Sequence, residues 1–187
     1  MGRWPNREEA DKILCEWMKN KNLRKHGYAV EAAMRAYAAK LGADPERWGA
    51  VGLLHDFDYE KYPKLEDHPF KGVEFLRAAG FDEELIGGVM AHAEHTHTPR
   101  DTPMKKVIYA VDELTGLIVA VTLVRPSKKL ADVSVESVKK KWNEKQFAAG
   151  VDRRQIEQGA AELGVGLDEH IATVLSAMQS ISDKLGL

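Results

Sequence analysis

The sequence predicts an all-α protein: a helical bundle over residues 1–124, with a helical extension over residues 125–187 packed on it. Three observations carry that expectation. Apolar residues recur at helical intervals, i, i+3, i+4 and i+7, through most of the 187 residues. The periodic stretches open on capping residues or prolines, and several close on glycine, which is how helices begin and stop. The one β-branched run, Leu117 to Val124, has no alternating partner with which to pair as a strand, so it too is expected to be helical. A chain of this length suits a single compact unit with a substantial core.

In the first element, Asn6-x-x-Glu9 has the spacing of a capping box, and Ala10, Ile13, Leu14, Trp17 and Met18 follow at helical intervals. Cys15 lies within this pattern and reads as a packing residue. As the single cysteine it excludes an intramolecular disulfide and a multi-cysteine zinc site. A polar break at Lys19 to Asn22 precedes a second helix from about Leu23 to Leu41, stopped by Gly42; its stripe of His26, Val30, Ala33, Tyr37 and Leu41 should face inward. Asp44-Pro45 opens a third helix with Trp48, Val51 and His55 on one face, and the apolar run Val51 to Leu54 ends abruptly in His55-Asp56.

Asp58 to Asp67 is polar, contains Pro63, and reads as a solvated loop over the end of that helix. His68-Pro69 begins a fourth helix carrying Val73 and Leu76 before Gly80. Asp82 caps a fifth through Leu85, Val89 and His92, which must end before Thr98-Pro99. Thr102-Pro103 opens a sixth, Met104 to about Val121, in which Ile108, Asp112, Thr115 and Val119 share a face. Beyond a basic turn, Arg125-Pro126-Ser127-Lys128-Lys129, the residues Val135, Val138 and Trp142 outline an amphipathic helix. Asp152-x-x-Gln155 has capping-box spacing for a short helix ending at Gly164. Asp168 should cap the last helix, whose stripe runs Ile171, Val174, Leu175, Met178, Ile181, Leu185, with His170 exposed and incidental in its first turn.

Burying a carboxylate or an imidazole in an apolar segment is costly unless a metal or a tight ion pair compensates it. His26, His55, Asp56, His92 and Asp112 all fall in such positions, and His68 stands at the start of a helix. Mixed imidazole and carboxylate donors suit Mn, Fe, Zn, Co or Ni better than the all-oxygen cages of calcium. His95 is a further candidate ligand, one turn beyond His92, whereas His97 points elsewhere if the helix persists.

A formal net charge of −2 with 30% charged residues gives no global basic field, so neither a nucleic-acid polymer nor a membrane surface is the expected partner. There is no charged-then-apolar signal pattern at the N-terminus and no run of roughly 18 apolar residues, so a cytoplasmic protein is expected. The sequence sets no oligomeric state. Any anion site has to be local, and Arg125 and Lys128 of the basic turn are the candidate substrate anchors. They lie roughly 20 Å from Asp112 if the sixth helix continues unbroken, and a solvated surface is the ordinary reading of such a turn.

The order His26, then His55-Asp56, then Asp112 resembles the H…HD…D signature of the HD superfamily of metal-dependent phosphohydrolases over about residues 23–121. The resemblance implies an HD-domain helical bundle holding one or two divalent transition metals, with His55 and Asp56 at the catalytic centre. His68-Pro69-x-x-Gly72 and His92 are similar to the extra histidines of the two-metal branch, in which the HD aspartate, here Asp56, bridges both ions. Where many of those relatives continue with Ile-Gly-Lys, this chain reads Phe57-Asp58-Tyr59, and no Gly-Tyr-Pro follows the later histidines. A cyclic-dinucleotide phosphodiesterase of the Gly-Tyr-Pro type is therefore not expected.

The expected activity is hydrolysis of a phosphate ester or phosphoanhydride in a nucleotide or small phosphorylated metabolite, by water that a metal has activated. A metal-containing ligand sensor without turnover and a di-iron oxygenase of the same fold are the alternatives.

Overall fold

The computed structural model describes residues 2–144 and 146–187. Among the described residues there are ten α-helices: α1 Arg7–Trp17, α2 Lys21–Leu41, α3 Pro45–Leu54, α4 Phe70–Ala78, α5 Glu83–Ala91, α6 Pro103–Leu123, α7 Val135–Lys140, α8 Arg153–Leu163, α9 Leu167–Gln179 and α10 Ser182–Leu185. No strand occurs among the described residues, and no helix there is long and apolar enough to cross a membrane.

The helix starts follow the capping chemistry read from the sequence. The side chains of Asn6, Asn20, Asp44, Asp82 and Thr102 each accept a backbone N–H of the first turn that follows, satisfying donors a helix cannot satisfy itself. α2 begins two residues earlier than the break at Lys19 to Asn22 suggested, because Asn20 serves as its cap. α6 is apolar nearly all round, with Val107, Ile108, Val111, Leu114, Leu117 and Ile118 fully enclosed, and it forms the centre of the molecule. α2, α5, α8 and α9 all pack against it, α9 also packs on α2, and α3 lies along α2. Trp17 contacts both Phe57 and Phe75 at centroid separations of 4.9 Å, tying α1 to α4 across the segment that follows α3.

The C-terminal helices sit directly on the bundle. A Cβ at Gly159 of α8 would stand 2.5 Å from the Ala110 backbone of α6, so only glycine permits this approach. Four expectations are corrected here. Leu41 is 53% exposed, because its turn of α2 projects past the bundle just before Gly42. Asp152 caps α8 alone: its carboxylate accepts the Arg154 N–H, whereas Gln155 donates its side-chain amide to the Tyr109 carbonyl rather than closing a capping box. The last helix is broken at Ser180 and Ile181 into α9 and α10, and Gly166 rather than Asp168 occupies the cap of α9.

The fourth correction concerns His170, which is fully buried rather than exposed. Its Nε2–H donates to the Ala110 carbonyl of α6 at 2.9 Å, and its Nδ1 accepts the Tyr37 hydroxyl of α2 at 2.6 Å. Burial, with Lys40 nearby as a lesser cause, holds its pKa below the ordinary 6.5. His170→Ala leaves the buried Tyr37 hydroxyl without this acceptor, removes the second bond to the Ala110 carbonyl and opens a cavity, and is expected to cost about 2–4 kcal/mol. The unfolded imidazole takes up a proton at higher pH than the native one. The stabilisation is therefore complete above pH about 6.5 and declines as pH falls below that value. Urea unfolding of both proteins at pH 7.5 and pH 5.5 checks this: the gap between wild type and variant should narrow at the lower pH.

Candidate metal centre

α3 ends at Leu54, leaving His55 at its C-cap and Asp56 one residue beyond; α5 ends at Ala91, leaving His92 in the same position. In both rings Nδ1 faces a carbonyl three residues back, Gly52 at 2.7 Å for His55 and Val89 at 2.6 Å for His92. A carbonyl only accepts, so Nδ1 carries the proton and Nε2 presents a bare lone pair. His68 reaches the same state through a carboxylate, with Nδ1 2.7 Å from Asp58 Oδ1. His26 reaches it through Thr115, whose hydroxyl donates to the Asp112 carbonyl at 2.8 Å and accepts from His26 Nδ1 at 3.2 Å.

The four Nε2 atoms converge in two pairs around Asp56. His26 and His55 are 3.2 Å apart at Nε2, and His68 and His92 are 3.1 Å apart. Asp56 Oδ2 faces the first pair at 3.7 and 3.5 Å, and its Oδ1 faces the second at 3.2 Å from each ring. Asp112 Oδ1 joins the first pair, 3.0 Å from His26 and 3.4 Å from His55. Lone pairs at such separations repel, and so would two imidazolium rings. A cation between them removes the conflict, so the donor set fits divalent metal in two groups: His26, His55 and Asp112, and Asp56, His68 and His92.

The electrostatics point the same way. Burial opposes charge on His55 and His68, yet the carboxylates win: Asp56 and Asp112 raise His55 well above its ordinary pKa, and Asp56 with Asp58 lifts His68 to about 9. Burial likewise opposes ionisation of Asp56 and Asp112, but the surrounding imidazoles hold both carboxyls below the usual range. The site thus favours anionic oxygens and positive charge, the polarity that a bound cation requires.

The site opens into a cleft of about 470 Å³ lined also by Tyr59, Leu65, Ala93, Glu94, His95, Glu113, Gly116 and Gln155. Burial first, and then the neighbouring Asp112, pushes Glu113 up to about 7; its carboxylate accepts the Asp152 N–H at 3.1 Å. The structure brings together His26, His55, Asp56, His68, His92 and Asp112. His95 belongs to neither group: α5 stops before it, and its Nε2–H donates to the His68 carbonyl at 2.8 Å, so that nitrogen has no lone pair to offer a metal. Arg125 and Lys128 lie outside the cleft because α6 runs unbroken to Leu123; Arg125 donates to Ser137, and Lys128 lines a separate cavity with Lys129.

Asp58, read from the sequence as part of a solvated loop, is wholly buried: one oxygen orients His68 and the other accepts the Gly72 N–H at 2.8 Å. The segment between α3 and α4 is irregular, so burial there has no period and no pattern marks Asp58. Glu113 and Gln155 were also missed; Glu113 follows the inward Asp112 on a helix, and Gln155 comes from α8, far along the chain.

A family model described as "HD domain" matches residues 23–117. Curated relatives called Ribonuclease Y match a little over half of the chain. That of Thermosipho melanesiensis is 31% identical over 113 residues, covering 60% of this chain and 20% of the relative. Those of Fervidobacterium nodosum, 30% identical over 113 residues, and Nitratidesulfovibrio vulgaris strain DP4, 28% over 98 residues, are matched over 20% and 18% of their length. The matched region thus spans about a fifth of these relatives. No solved structure matches the chain significantly.

Proposed function

Because the chain belongs to the HD domain family, we propose that it is a metal-dependent phosphohydrolase that uses a two-metal site to cleave a phosphate ester of a small substrate. The observation that carries this reading is the division of one carboxylate between two histidine pairs, Asp56 Oδ2 toward His26 and His55 and Oδ1 toward His68 and His92. Divalent ions held there supply Lewis acidity toward phosphoryl oxygens and bring water closer to its nucleophilic form at neutral pH. The remaining work falls to the chain. His55, His92 and His68 are oriented by their Nδ1 partners with Nε2 facing the site, so the rings are set before loading, which displaces any proton on Nε2. Tyr59 and Leu65 form an apolar rim on the cleft, and Glu113 and Gln155 face its interior as polar groups for the substrate.

A second reading is hydrolysis of RNA, which the name of the curated relatives favours. The lining tells against a polymer. Among its described residues are four carboxylates, Asp56, Glu94, Asp112 and Glu113, and no Lys or Arg, whereas proteins that track a nucleic-acid backbone line the path with cations.

The test is a substrate panel on protein of known metal content: nucleotides, phosphomonoesters, phosphodiesters and single-stranded RNA, with Mn, Co or Zn. Metal-dependent phosphate release from a small ester, lost in His92→Ala, is the expected result. Absence of hydrolysis across the panel by protein carrying two ions per chain would sink the proposal. RNA cleavage with no small-ester turnover would support the second reading, and oxygen consumption by the iron-loaded protein would replace hydrolysis with oxygenase chemistry.

A further inference from the structure

The cleft does not end at Gly116. A second cavity of about 470 Å³, lined by Asn22, Lys25, Val119, Leu123, Leu185 and Leu187, shares both His26 and Gly116 with it, so the two adjoin at those residues. Asp112, Gly116, Val119 and Leu123 stand at i, i+4, i+7 and i+11 on α6, which puts metal ligand, junction and trough on one face of a single straight helix. From Gly116 to Leu123 is about 10 Å along the axis.

Two features of this trough have no structural use. Gly116 sits in the middle of a 21-residue helix, where glycine is unfavourable by about 0.5–1 kcal/mol relative to alanine. A Cβ there would meet only the Val151 side chain at 3.8 Å, so packing does not demand its absence. What its absence preserves is the space where the two cavities adjoin. Lys25, half-buried on the trough wall, makes no hydrogen bond or ion pair with any described residue. An ammonium placed there beside Val119, Leu123 and Leu185 is positioned for an oxygen-bearing group on a molecule whose body is apolar.

We propose that the trough is the subsite for the alcohol portion of the substrate, and that the substrate is a small amphiphilic phosphate ester. Its phosphoryl group lies at Asp56 and Asp112, its apolar chain or ring passes over Gly116 onto Val119 and Leu123, and a polar oxygen meets Lys25. This rests on the phosphohydrolase reading for the identity of the reacting group and goes beyond it in naming the part of the molecule that confers selectivity.

Methyl, butyl and octyl phosphate separate the two. Their affinities for the metal-loaded protein are measured by calorimetry, and phosphate release is measured in parallel. Burial of several methylenes should make octyl phosphate bind about a hundredfold more tightly than methyl phosphate. Gly116→Leu, whose Cβ the helix accommodates, should collapse that ratio toward one. Leu123→Glu should reduce the ratio by placing charge at the far end.

Octyl and methyl phosphate of equal affinity in the wild type would overturn the subsite, as would a ratio that Gly116→Leu leaves intact. Chain-length-dependent binding with no phosphate release would uphold the subsite and overturn the hydrolase reading. Release with no chain-length dependence would do the reverse.

Discussion

Asp56→Ala is expected to empty both halves of the site together and to lower turnover by about 10³-fold or more, roughly 4 kcal/mol of lost transition-state stabilisation. The expectation follows from the sharing of one carboxylate. Each of the other five donors, His26, His55, His68, His92 and Asp112, belongs to one half only, whereas Asp56 sends one oxygen to each pair of rings. Removing it also removes the negative charge that makes the approach of four imidazoles tolerable. The variant should still fold, because Asp56 is a quarter exposed and the core around Leu53, Leu54 and Phe57 is untouched. Elemental analysis after reconstitution in excess Mn or Zn gives the answer; full occupancy in the variant would show that Asp56 is not the shared ligand. His92→Ala is the contrast, expected to lose the second group while His26, His55 and Asp112 keep theirs.

Asp58→Ala should produce a different pattern: loss of one ion, and loss of stability. Asp58 touches no candidate metal position, but it orients His68 at 2.7 Å and accepts the Gly72 N–H at 2.8 Å with no access to solvent. Alanine leaves a buried amide and a buried imidazole N–H without acceptors, at about 2–4 kcal/mol. It also frees His68 to rotate or to change tautomer, which should weaken the second half about 10–100-fold, the usual effect of removing the group that orients a ligand. A metal titration followed by calorimetry would then resolve one tight and one weak site where the wild type has two tight ones. Equal weakening of both halves would mean that Asp58 acts through general destabilisation rather than through His68.

Much of this was legible in the sequence, for a physical reason that also explains the failures. His26, His55, His92 and Asp112 lie on or at the end of helices, where the 3.6-residue period states which face is inward, so a polar residue in an apolar stripe stands out. Asp58 belongs to a turn without period, and its burial follows from how closely Gly72 of α4 and His68 pack on it. His170 was misread because its first-turn position suggested exposure, while the neighbours that enclose it, Tyr37 and Ala110, come from α2 and α6, 133 and 60 residues earlier in the chain. The reach of α6 was underestimated by two residues, Val121 against Leu123, and that extension keeps Arg125 out of the cleft. Glu113 and Gln155 show the same limit: a cleft is lined by residues from distant segments, and spacing along the chain records only the local ones.

The imidazole of His170 has a consequence for how the molecule responds to its ions. It joins α9 to α6 at Ala110, two residues before Asp112, and to α2 at Tyr37, three turns beyond His26. The helices that supply the first group of donors are therefore the same ones that hold the C-terminal segment in place. Ions that bind only the native arrangement stabilise it by mass action, and through His170 that gain should reach α9. Metal occupancy at Asp112 is therefore expected to protect α9 as well, and the melting temperature to rise with the metal load.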